Sequence, residues 1–174
     1  MISKHQPLTH FNTRPPEIEI DTLVIHSMFS ETCLNNPLDP LACIEELNRY
    51  QVSSHYLIET TGELWQLVDE NNRAWHAGES TMPVRLCQRA GVNDFSIGIE
   101  LIGKEDQGFT EEQYRALASL TENIALRHPL RFIVGHQEIA LPKGRKTDLG
   151  SNFDWDYYRK LLLQANPQRC TIRF

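Results

Sequence analysis

The sequence lacks the patterns that would place the protein in a membrane, in a secretory pathway or on nucleic acid. None of its apolar runs approaches the roughly 20 residues of a transmembrane helix. The N-terminal segment has no uninterrupted apolar core and no small-residue cleavage site, so no secretory signal is predicted. A formal net charge of -6 offers no basic surface to nucleic acid or anionic lipid. We therefore expect no membrane and no nucleic acid as partners.

Paired cysteine motifs are absent as well. The 4 cysteines form no C-x-x-C pair, the spacing that is typical of redox motifs and zinc knuckles. Without an export signal, free thiols are the expected state, and the protein is predicted to be cytoplasmic. A chain from which a leader had been removed would instead be periplasmic or secreted.

Internal repeats, low-complexity tracts and Gly/Ser-rich linkers are also missing. A chain of 174 residues fits one ordinary domain, which buries about two-thirds of the surface that its unfolded form exposes. We predict a single domain over residues 1–174 and a monomer.

Apolar β-branched runs without polar alternation predict strands that are buried on both faces. Apolar residues at helical spacing, with Pro40 near one start and a capping box at another, predict amphipathic helices. Strands that alternate with helices around one hairpin indicate an α/β fold, a central mixed β-sheet with helices packed on it. The predicted elements are strands at 22–26, 95–102 and 131–135, helices at 41–50, 110–127 and 154–166, a hairpin at 54–68 that turns at Gly62, and an irregular segment at about 69–94.

Two histidines stand where apolar strands end. His26 is the last residue of one predicted strand, and His136 follows another. Two neighbouring strands that end at the same sheet edge would bring these imidazoles within reach of one zinc ion, which binds nitrogen at about 2.0–2.1 Å. The alternative is a pair of hydrogen-bonded edge histidines, because no compact H-E-x-x-H motif is present.

Asp148 lies in a short segment, 144–150, that holds two cations, a hydroxyl and a carboxylate between glycines. Such a loop favours a role for its side chains, although an ordinary Asx turn is the alternative. Together with His26 and His136, Asp148 supplies three corners of a zinc tetrahedron and leaves the fourth open to water. This set predicts a hydrolase with one Zn²⁺ per chain.

Glu100 is a charged residue in an otherwise apolar strand. Burying an uncompensated carboxylate is costly, so its position indicates a function. Partial desolvation would raise the pKa of Glu100 toward neutrality, which suits a group that takes a proton from water and passes it to a leaving amine. Lys146, two residues before Asp148, is a candidate to stabilise an oxyanion, with an ordinary surface lysine as the alternative.

Seven segments, spread over nearly the whole chain, resemble the zinc-dependent N-acetylmuramoyl-L-alanine amidases of type 2, relatives of the peptidoglycan recognition proteins. Their order and combination make the resemblance specific. They are LVIH (23–26), VSSHYLI (52–58), GELWQLV (62–68), RAWHAG (73–78), NDFSIGIE (93–100), VGH (134–136) and GRKTD (144–148).

This resemblance implies that His26, His136 and Asp148 bind a catalytic zinc ion. It also implies that Glu100 acts first as general base and then as general acid, and that Lys146 supports the oxyanion. The roles agree with those inferred above from the residues themselves.

The resemblance further implies a substrate. Members of the family cleave the amide that joins the lactyl group of N-acetylmuramic acid to L-alanine of the peptidoglycan stem peptide. The short cytoplasmic members, which process 1,6-anhydro-muramyl peptides in cell-wall recycling, are the most similar branch. Muropeptides are therefore the expected partners, and Trp75, His76 and Ala77 are expected to line the substrate groove.

The chain departs from that branch at three positions. Leu149 stands in place of a proline after the zinc-ligand aspartate, and Gln51 and Val92 stand in place of arginines that grip substrate carboxylates. Arg85 or Arg89 could take over this role, since a neutral Gln cannot form the bidentate, charge-assisted pair that Arg forms. A broader amidase that acts on polymeric peptidoglycan is therefore an alternative function. Two others are a non-catalytic muropeptide-binding module and a zinc amidase or peptidase for another acylated amino acid.

Overall fold

A six-stranded sheet forms the centre of the protein in the computed structural model, which describes residues 4–104 and 106–174. A separate two-stranded sheet lies beside it. Within the described residues the elements are β1 (Lys4–His5), β2 (Phe11–Thr13), β3 (Thr22–Met28), α1 (Pro40–Arg49), β4 (Tyr56–Ile58), β5 (Leu64–Gln66), β6 (Asn72–Ala74), β7 (Ser96–Ile102), α2 (Glu111–Ala125), β8 (Phe132–Gly135), α3 (His136–Ile139) and α4 (Trp155–Ala165), with 3₁₀ turns at Val92–Asp94 and Pro167–Thr171.

The strand order in the large sheet is β1-β5-β4-β7-β3-β8. Strand β3 pairs in parallel with β7 on one side and with β8 on the other, and β4 also runs parallel to β7. Strands β4 and β5 are antiparallel and form the predicted hairpin, in which Gly62 adopts a positive φ of 82°. The predicted mixed sheet with helices packed on it is confirmed.

Side chains of the central strands alternate between two apolar layers. Leu23 and Ile25 of β3, with Ile97, Ile99 and Leu101 of β7, pack in the cluster that holds the apolar residues of α2 and α4. The intervening positions of both strands face the opposite side of the sheet. On that side, residues of α1 pack against Ile102, the last residue of β7. Because the period of a strand is two, His26 and Glu100 lie on this second side, away from the α2 and α4 layer.

Helix starts follow the predicted capping signals. Asp39 precedes α1, and its Oδ1 accepts from the Ala42 amide at 2.9 Å, with Pro40 as the first helical residue. Thr110 and Gln113 form the predicted capping box of α2. All three long helices therefore lie within about two residues of their predicted bounds. Among the described residues, no helix combines the length and the apolar character needed to cross a bilayer.

Arg14 connects the N-terminal segment to the chain that precedes β7. Its guanidinium donates to the carbonyl oxygens of Glu70, Asn93, Asp94 and Ser96 at 2.8 to 3.0 Å. Nearby, β2 pairs antiparallel with β6, which lies inside the segment predicted to be irregular. The prediction of no regular structure at 69–94 is therefore wrong at β6 and at the 3₁₀ turn.

Candidate active site

Strand register brings His26 and His136 together. Ile25 on β3 is the partner of Gly135 on β8, so the next residue on each chain reaches the same edge of the sheet. The two imidazole centroids lie 4.4 Å apart. His26 is not the last residue of its strand, because β3 continues to Met28. His136 is the first residue of α3, which begins directly after β8.

Asp148 reaches both histidines from the loop that follows α3. Its Oδ2 lies 3.0 Å from Nδ1 of His136 and 3.4 Å from Nδ1 of His26. All three side chains are buried, with exposed fractions of 9% or less. The three residues that the sequence predicts as metal ligands therefore lie next to one another in the structure.

The donor set of these residues fits a zinc ion. Two imidazole nitrogens and one carboxylate oxygen lie within 4.8 Å of one another, and this combination is a common set of zinc ligands in proteins. Burial, together with the neighbouring His136, lowers the pKa of His26 to about 4, so the ring is neutral at physiological pH. Burial by itself would raise the pKa of Asp148, but opposing effects, the largest of which is the hydrogen-bonding contact with His136 Nδ1, hold its pKa below the usual range. A neutral imidazole and an ionised carboxylate are the forms that bind metal.

Glu100 stands beside His26 across the β3–β7 pair. The two residues are register partners, and Glu100 Oε1 lies 4.0 Å from His26 Nδ1. The side chain is nearly enclosed. Burial, reinforced by the charge of Asp148, raises the pKa of Glu100 to about 8, while Lys146 acts in the opposite direction. A carboxyl group whose pKa lies near neutrality is suited to general acid and base chemistry.

A cavity of about 760 Å³ opens onto these groups. Its lining includes all three metal-ligand candidates, Glu100 and Lys146. The loop between α3 and α4 therefore contributes both a carboxylate and a cation to the same cavity. The volume lies within the range of small-molecule sites, about 300–1,000 Å³.

Comparison with known proteins identifies the family. The Amidase_2 family, described as N-acetylmuramoyl-L-alanine amidase, matches residues 15–151. The chain belongs to this family. It is 40% identical over 164 residues to the 1,6-anhydro-N-acetylmuramyl-L-alanine amidase AmpD of Haemophilus influenzae, an alignment that covers 86% of each protein.

Two solved structures of amidases are similar to the chain over most of its length. A crystal structure of a selenomethionine derivative of AmpD is 34% identical, with a TM-score of 0.74 and coverage of 92% of this chain and 94% of that one. The amidase AmiD of E. coli, in complex with the substrate anhydro-N-acetylmuramic acid-L-Ala-D-gamma-Glu-L-Lys, is 30% identical. Its TM-score is 0.66, and the alignment covers 85% of this chain and 60% of AmiD.

The three residues predicted to contact substrate in this amidase occupy different environments. Trp75 is 38% exposed, lines the cavity, and donates from its indole nitrogen to Asn12 at 2.9 Å. His76 also lines the cavity, but its ring is buried and bonded to His26. Ala77 has no exposed surface, and its amide donates to Asn93 Oδ1 at 2.8 Å. A substrate would not reach the Ala77 side chain in this conformation.

Arg85 and Arg89, the two arginines expected to bind the substrate carboxylates in place of the missing ones, lie elsewhere in the amidase. Arg85 pairs with Glu138 and donates to the Phe174 carbonyl at 2.7 Å. Arg89 pairs with Asp21 and stacks on Phe95. Neither lines the cavity, so the structure does not support the expected substitution.

Gln51 and Val92, the positions where the arginines of the recycling amidases are missing, also separate in space. Gln51 lines the cavity, whereas Val92 is fully buried. Of the two positions, only Gln51 can meet a substrate in this conformation.

Several residues that shape the site carry no signal in the sequence. Ser53 donates to the His10 carbonyl and accepts from the Trp75 amide at 2.9 Å, which holds the exposed tryptophan at the rim. Ser96 bonds to His76 at 3.1 Å. A lone serine is too common to mark such a contact, which only the fold brings about.

Proposed function

We propose that the protein is a zinc-dependent hydrolase that cleaves the amide between the lactyl group of 1,6-anhydro-N-acetylmuramic acid and L-alanine, in cell-wall recycling. The single observation that carries the proposal is the convergence of His26, His136 and Asp148 beside Glu100. Both carboxylates and both imidazoles open onto one cavity. Membership of the amidase family supports the identity of the bond.

His26 and His136 would hold one zinc ion through their Nδ1 atoms, and Asp148 through Oδ2, since these are the atoms that converge. When bound, zinc supplies a Lewis acid that makes water nucleophilic near neutral pH and polarises a carbonyl oxygen. The neutral state of His26 and the ionised state of Asp148 support this role.

Glu100 would move the proton. Its carboxylate accepts a proton from the attacking water and returns it to the nitrogen of the departing L-alanine, so the carboxyl group is unchanged after one turnover. With its pKa raised to about 8, Glu100 is only partly ionised near neutral pH, so the ionised form can accept the proton and the protonated form can donate it. Lys146, an exposed residue that lines the same cavity, would place its ammonium group beside the developing oxyanion.

The substrate class is inferred from the relatives. AmpD of Haemophilus influenzae is named for the 1,6-anhydro substrate, and AmiD was solved with an anhydro-muramyl tripeptide. The cavity of about 760 Å³ has room for a fragment of this kind, and Trp75 at its rim offers an aromatic face to a sugar.

Product analysis by mass spectrometry tests the proposal. The protein is incubated with a defined 1,6-anhydro-muramyl tripeptide, with and without a chelator. We expect free peptide and free 1,6-anhydro-N-acetylmuramic acid, no turnover after chelation, and recovery on addition of zinc. Tight binding without turnover in zinc-replete buffer would instead establish a binding module, and release of other fragments would establish a different hydrolase.

A second candidate function, an amidase that also acts on polymeric peptidoglycan, is favoured by one observation. Gln51 lines the cavity in place of a cation, and a neutral amide selects a carboxylate less strictly than a guanidinium does. The same assay on intact sacculi separates the two. Peptide release from sacculi at a rate close to that from the tripeptide would favour the broader enzyme.

The proposal includes a monomer in the cytoplasm, with residues 1–174 forming one zinc amidase domain. The 4 cysteines are free in the structure, as expected for a reducing compartment. Cell fractionation and light scattering of the purified protein test the location and the oligomeric state. Limited proteolysis tests the single domain, for which we expect no stable shorter fragment.

A further inference from the structure

A chain of hydrogen bonds runs from His26 into the protein, away from the metal-ligand candidates. His26 Nε2 lies 3.0 Å from His76 Nδ1, and His76 Nε2 lies 3.1 Å from Ser96 Oγ. Ser96 Oγ in turn donates to the carbonyl oxygen of Val92 at 2.6 Å. The side chains of His26, His76 and Ser96 are all buried. We call these three side chains and the Val92 carbonyl the relay.

The Val92 carbonyl, at the end of the relay, determines which atom donates in each of its hydrogen bonds. A carbonyl oxygen only accepts, so the single hydroxyl hydrogen of Ser96 is used on Val92. Ser96 Oγ can then only accept from His76, which places a hydrogen on Nε2 of that ring. Burial keeps such rings neutral, and a neutral imidazole has one donor and one acceptor nitrogen. His76 Nδ1 is therefore an acceptor.

The same reasoning fixes the tautomer of His26. Because His76 Nδ1 accepts, His26 Nε2 carries the hydrogen and His26 Nδ1 carries the lone pair. That lone pair faces Asp148 Oδ2 at 3.4 Å. Two acceptors thus point at each other, a contact that a bound cation makes favourable. The relay presents His26 in the form that a metal requires.

The position of His76 is itself fixed on two sides. Its ring lies against the backbone of β7 at Gly98, where an added Cβ would come 2.5 Å from His76 Cγ. Its amide donates to Asn93 Oδ1 at 3.2 Å. The absence of a side chain at Gly98 of β7 therefore leaves room for the His76 ring, and the hydrogen bond to Asn93 holds the His76 backbone.

His136 has no corresponding relay. Its Nε2 is buried and has no hydrogen-bond partner among the residues that the structure describes. The other buried histidine of the region, His55, accepts from the Gly98 amide at 3.0 Å and lies within hydrogen-bond distance of Arg14 and the Asn72 carbonyl, not of a metal-ligand candidate. The relay is therefore specific to His26.

We propose that His76 is a positioning residue, which holds His26 in the Nε2–H tautomer and aims Nδ1 at the metal, with Ser96 fixing the direction. The inference rests on the metal site of the proposed function. It assigns His76 a role different from the substrate contact that the sequence predicts. Partners of this kind typically change metal affinity by 10- to 100-fold.

Zinc affinity of two His76 variants tests the proposal. His76→Leu removes the acceptor for His26, whereas His76→Asn keeps a carbonyl oxygen close to the position of Nδ1. Competition with a chromophoric chelator measures zinc binding by each folded protein. We expect affinity to fall about 10- to 100-fold in His76→Leu and to recover largely in His76→Asn. Equal affinity of wild type and His76→Leu would overturn the proposal.

A matched pair of serine variants tests the direction of the relay with a milder change. Ser96→Ala removes the acceptor for His76 Nε2–H. Ser30→Ala removes another buried serine, whose hydroxyl donates to Glu46 Oε1 at 3.1 Å, without touching a histidine or the relay. We expect weaker zinc binding in Ser96→Ala and unchanged binding in Ser30→Ala. Similar losses in both variants would show a general packing effect and overturn the proposal.

Nitrogen NMR of the metal-free protein reads the tautomer directly. We expect the Nε2–H form for both His26 and His76 in the wild type, and mixed tautomers in Ser96→Ala. A hydrogen on Nδ1 of His26 in the wild type would overturn the proposal whether or not zinc binds. Conversely, wild-type protein that binds no zinc but shows the expected tautomers would refute the proposed metal site while leaving the relay intact.

Discussion

The imidazole of His76 occupies the space that a side chain at Gly98 would fill. A Cβ added at Gly98 would lie 2.5 Å from Cγ and 2.7 Å from Cδ2 of His76, closer than such atoms approach in proteins. Position 98 is thus restricted by packing against a neighbour. Its backbone is ordinary extended strand within β7.

Gly98→Ala should therefore destabilise the protein and displace His76. Overpacking of this kind costs about 1–3 kcal/mol. Gly135→Ala is the matched control, because its added Cβ would meet Trp155 at an ordinary 3.5 Å. Urea denaturation of the metal-free proteins measures both free energies of unfolding. Equal losses in the two variants would contradict the close approach of His76 to the strand.

Glu100→Gln should abolish most turnover while zinc remains bound. The amide has nearly the shape of the carboxyl group but cannot accept and return a proton, and loss of a general base typically costs about 10²–10⁴-fold in kcat. Because Glu100 Oε1 is 4.0 Å from His26 Nδ1 and is not among the convergent ligand atoms, zinc content should stay at one per chain. Kinetics on the anhydro-muramyl tripeptide and elemental analysis provide the two readouts. Near-normal kcat would remove Glu100 from the proton transfer.

Lys146→Met should lower kcat with little change in zinc affinity. Removing one oxyanion donor typically costs about 10²–10³-fold. Lys143→Met is the control, since Lys143 lies on the same loop but donates to the Glu138 carbonyl and does not line the cavity. The ratio of the two kcat values measures the effect of charge inside the cavity. Equal kcat values would identify Lys146 as a surface lysine.

Stability at acid pH should depend on Glu70, far from the metal-ligand candidates. Burial would raise its pKa, but hydrogen bonds from Arg127, Tyr56 and His128 outweigh burial and lower the pKa to about 2, against 4.5 for the free side chain. Since the folded pKa is the lower one, the stabilisation is complete above pH 4.5 and is lost as the pH falls toward 2.

This pKa difference corresponds to at most about 3 kcal/mol, less the screening of the half-exposed Arg127. Urea denaturation of wild type and Glu70→Gln between pH 5 and about 2 measures the effect. We expect the free energy of unfolding of the wild type to fall more steeply over this window. Parallel curves would show that Glu70 has the same pKa in the folded and unfolded chains.

The central strands could be predicted from the sequence because their apolar, β-branched runs are long and bounded by polar loops. Strands β7 and β8 lie within one residue of their predicted bounds. Strand β3 exceeds its predicted end by two residues, since Ser27 and Met28 pair with β7 although the apolar run has ended. Strands β1, β2 and β6 are not predicted because they are two or three residues long and, unlike the equally short β4 and β5, do not flank a turn signal such as Gly62.

Part of the candidate site can also be predicted from the sequence. The sequence predicts His26, His136 and Asp148 as one set, and the structure brings them together. The pairing of β3 with β8 places the two histidines side by side, and the loop after α3 adds Asp148. The contact of His26 with His76 joins residues 50 positions apart, and nothing local to either residue signals it. It depends on the missing side chain at Gly98 and on the loop bond to Asn93, which are tertiary features.

Arg14 lies one residue outside the region that the amidase family matches, yet three of its hydrogen bonds, to the carbonyls of residues 93, 94 and 96, hold the segment that leads into the relay, and a fourth holds Glu70. The region that the family model matches therefore leaves out residues that stabilise the fold. A polypeptide trimmed to 15–151 would lose the hydrogen bonds of Arg14 and also α4, whose Tyr158 and Leu162 are core residues. The four groups that Arg14 contacts are backbone carbonyls, which every residue type provides. Chimaeras between related amidases can therefore exchange the side chains at 70, 93, 94 and 96 and keep these hydrogen bonds, provided that the arginine is retained.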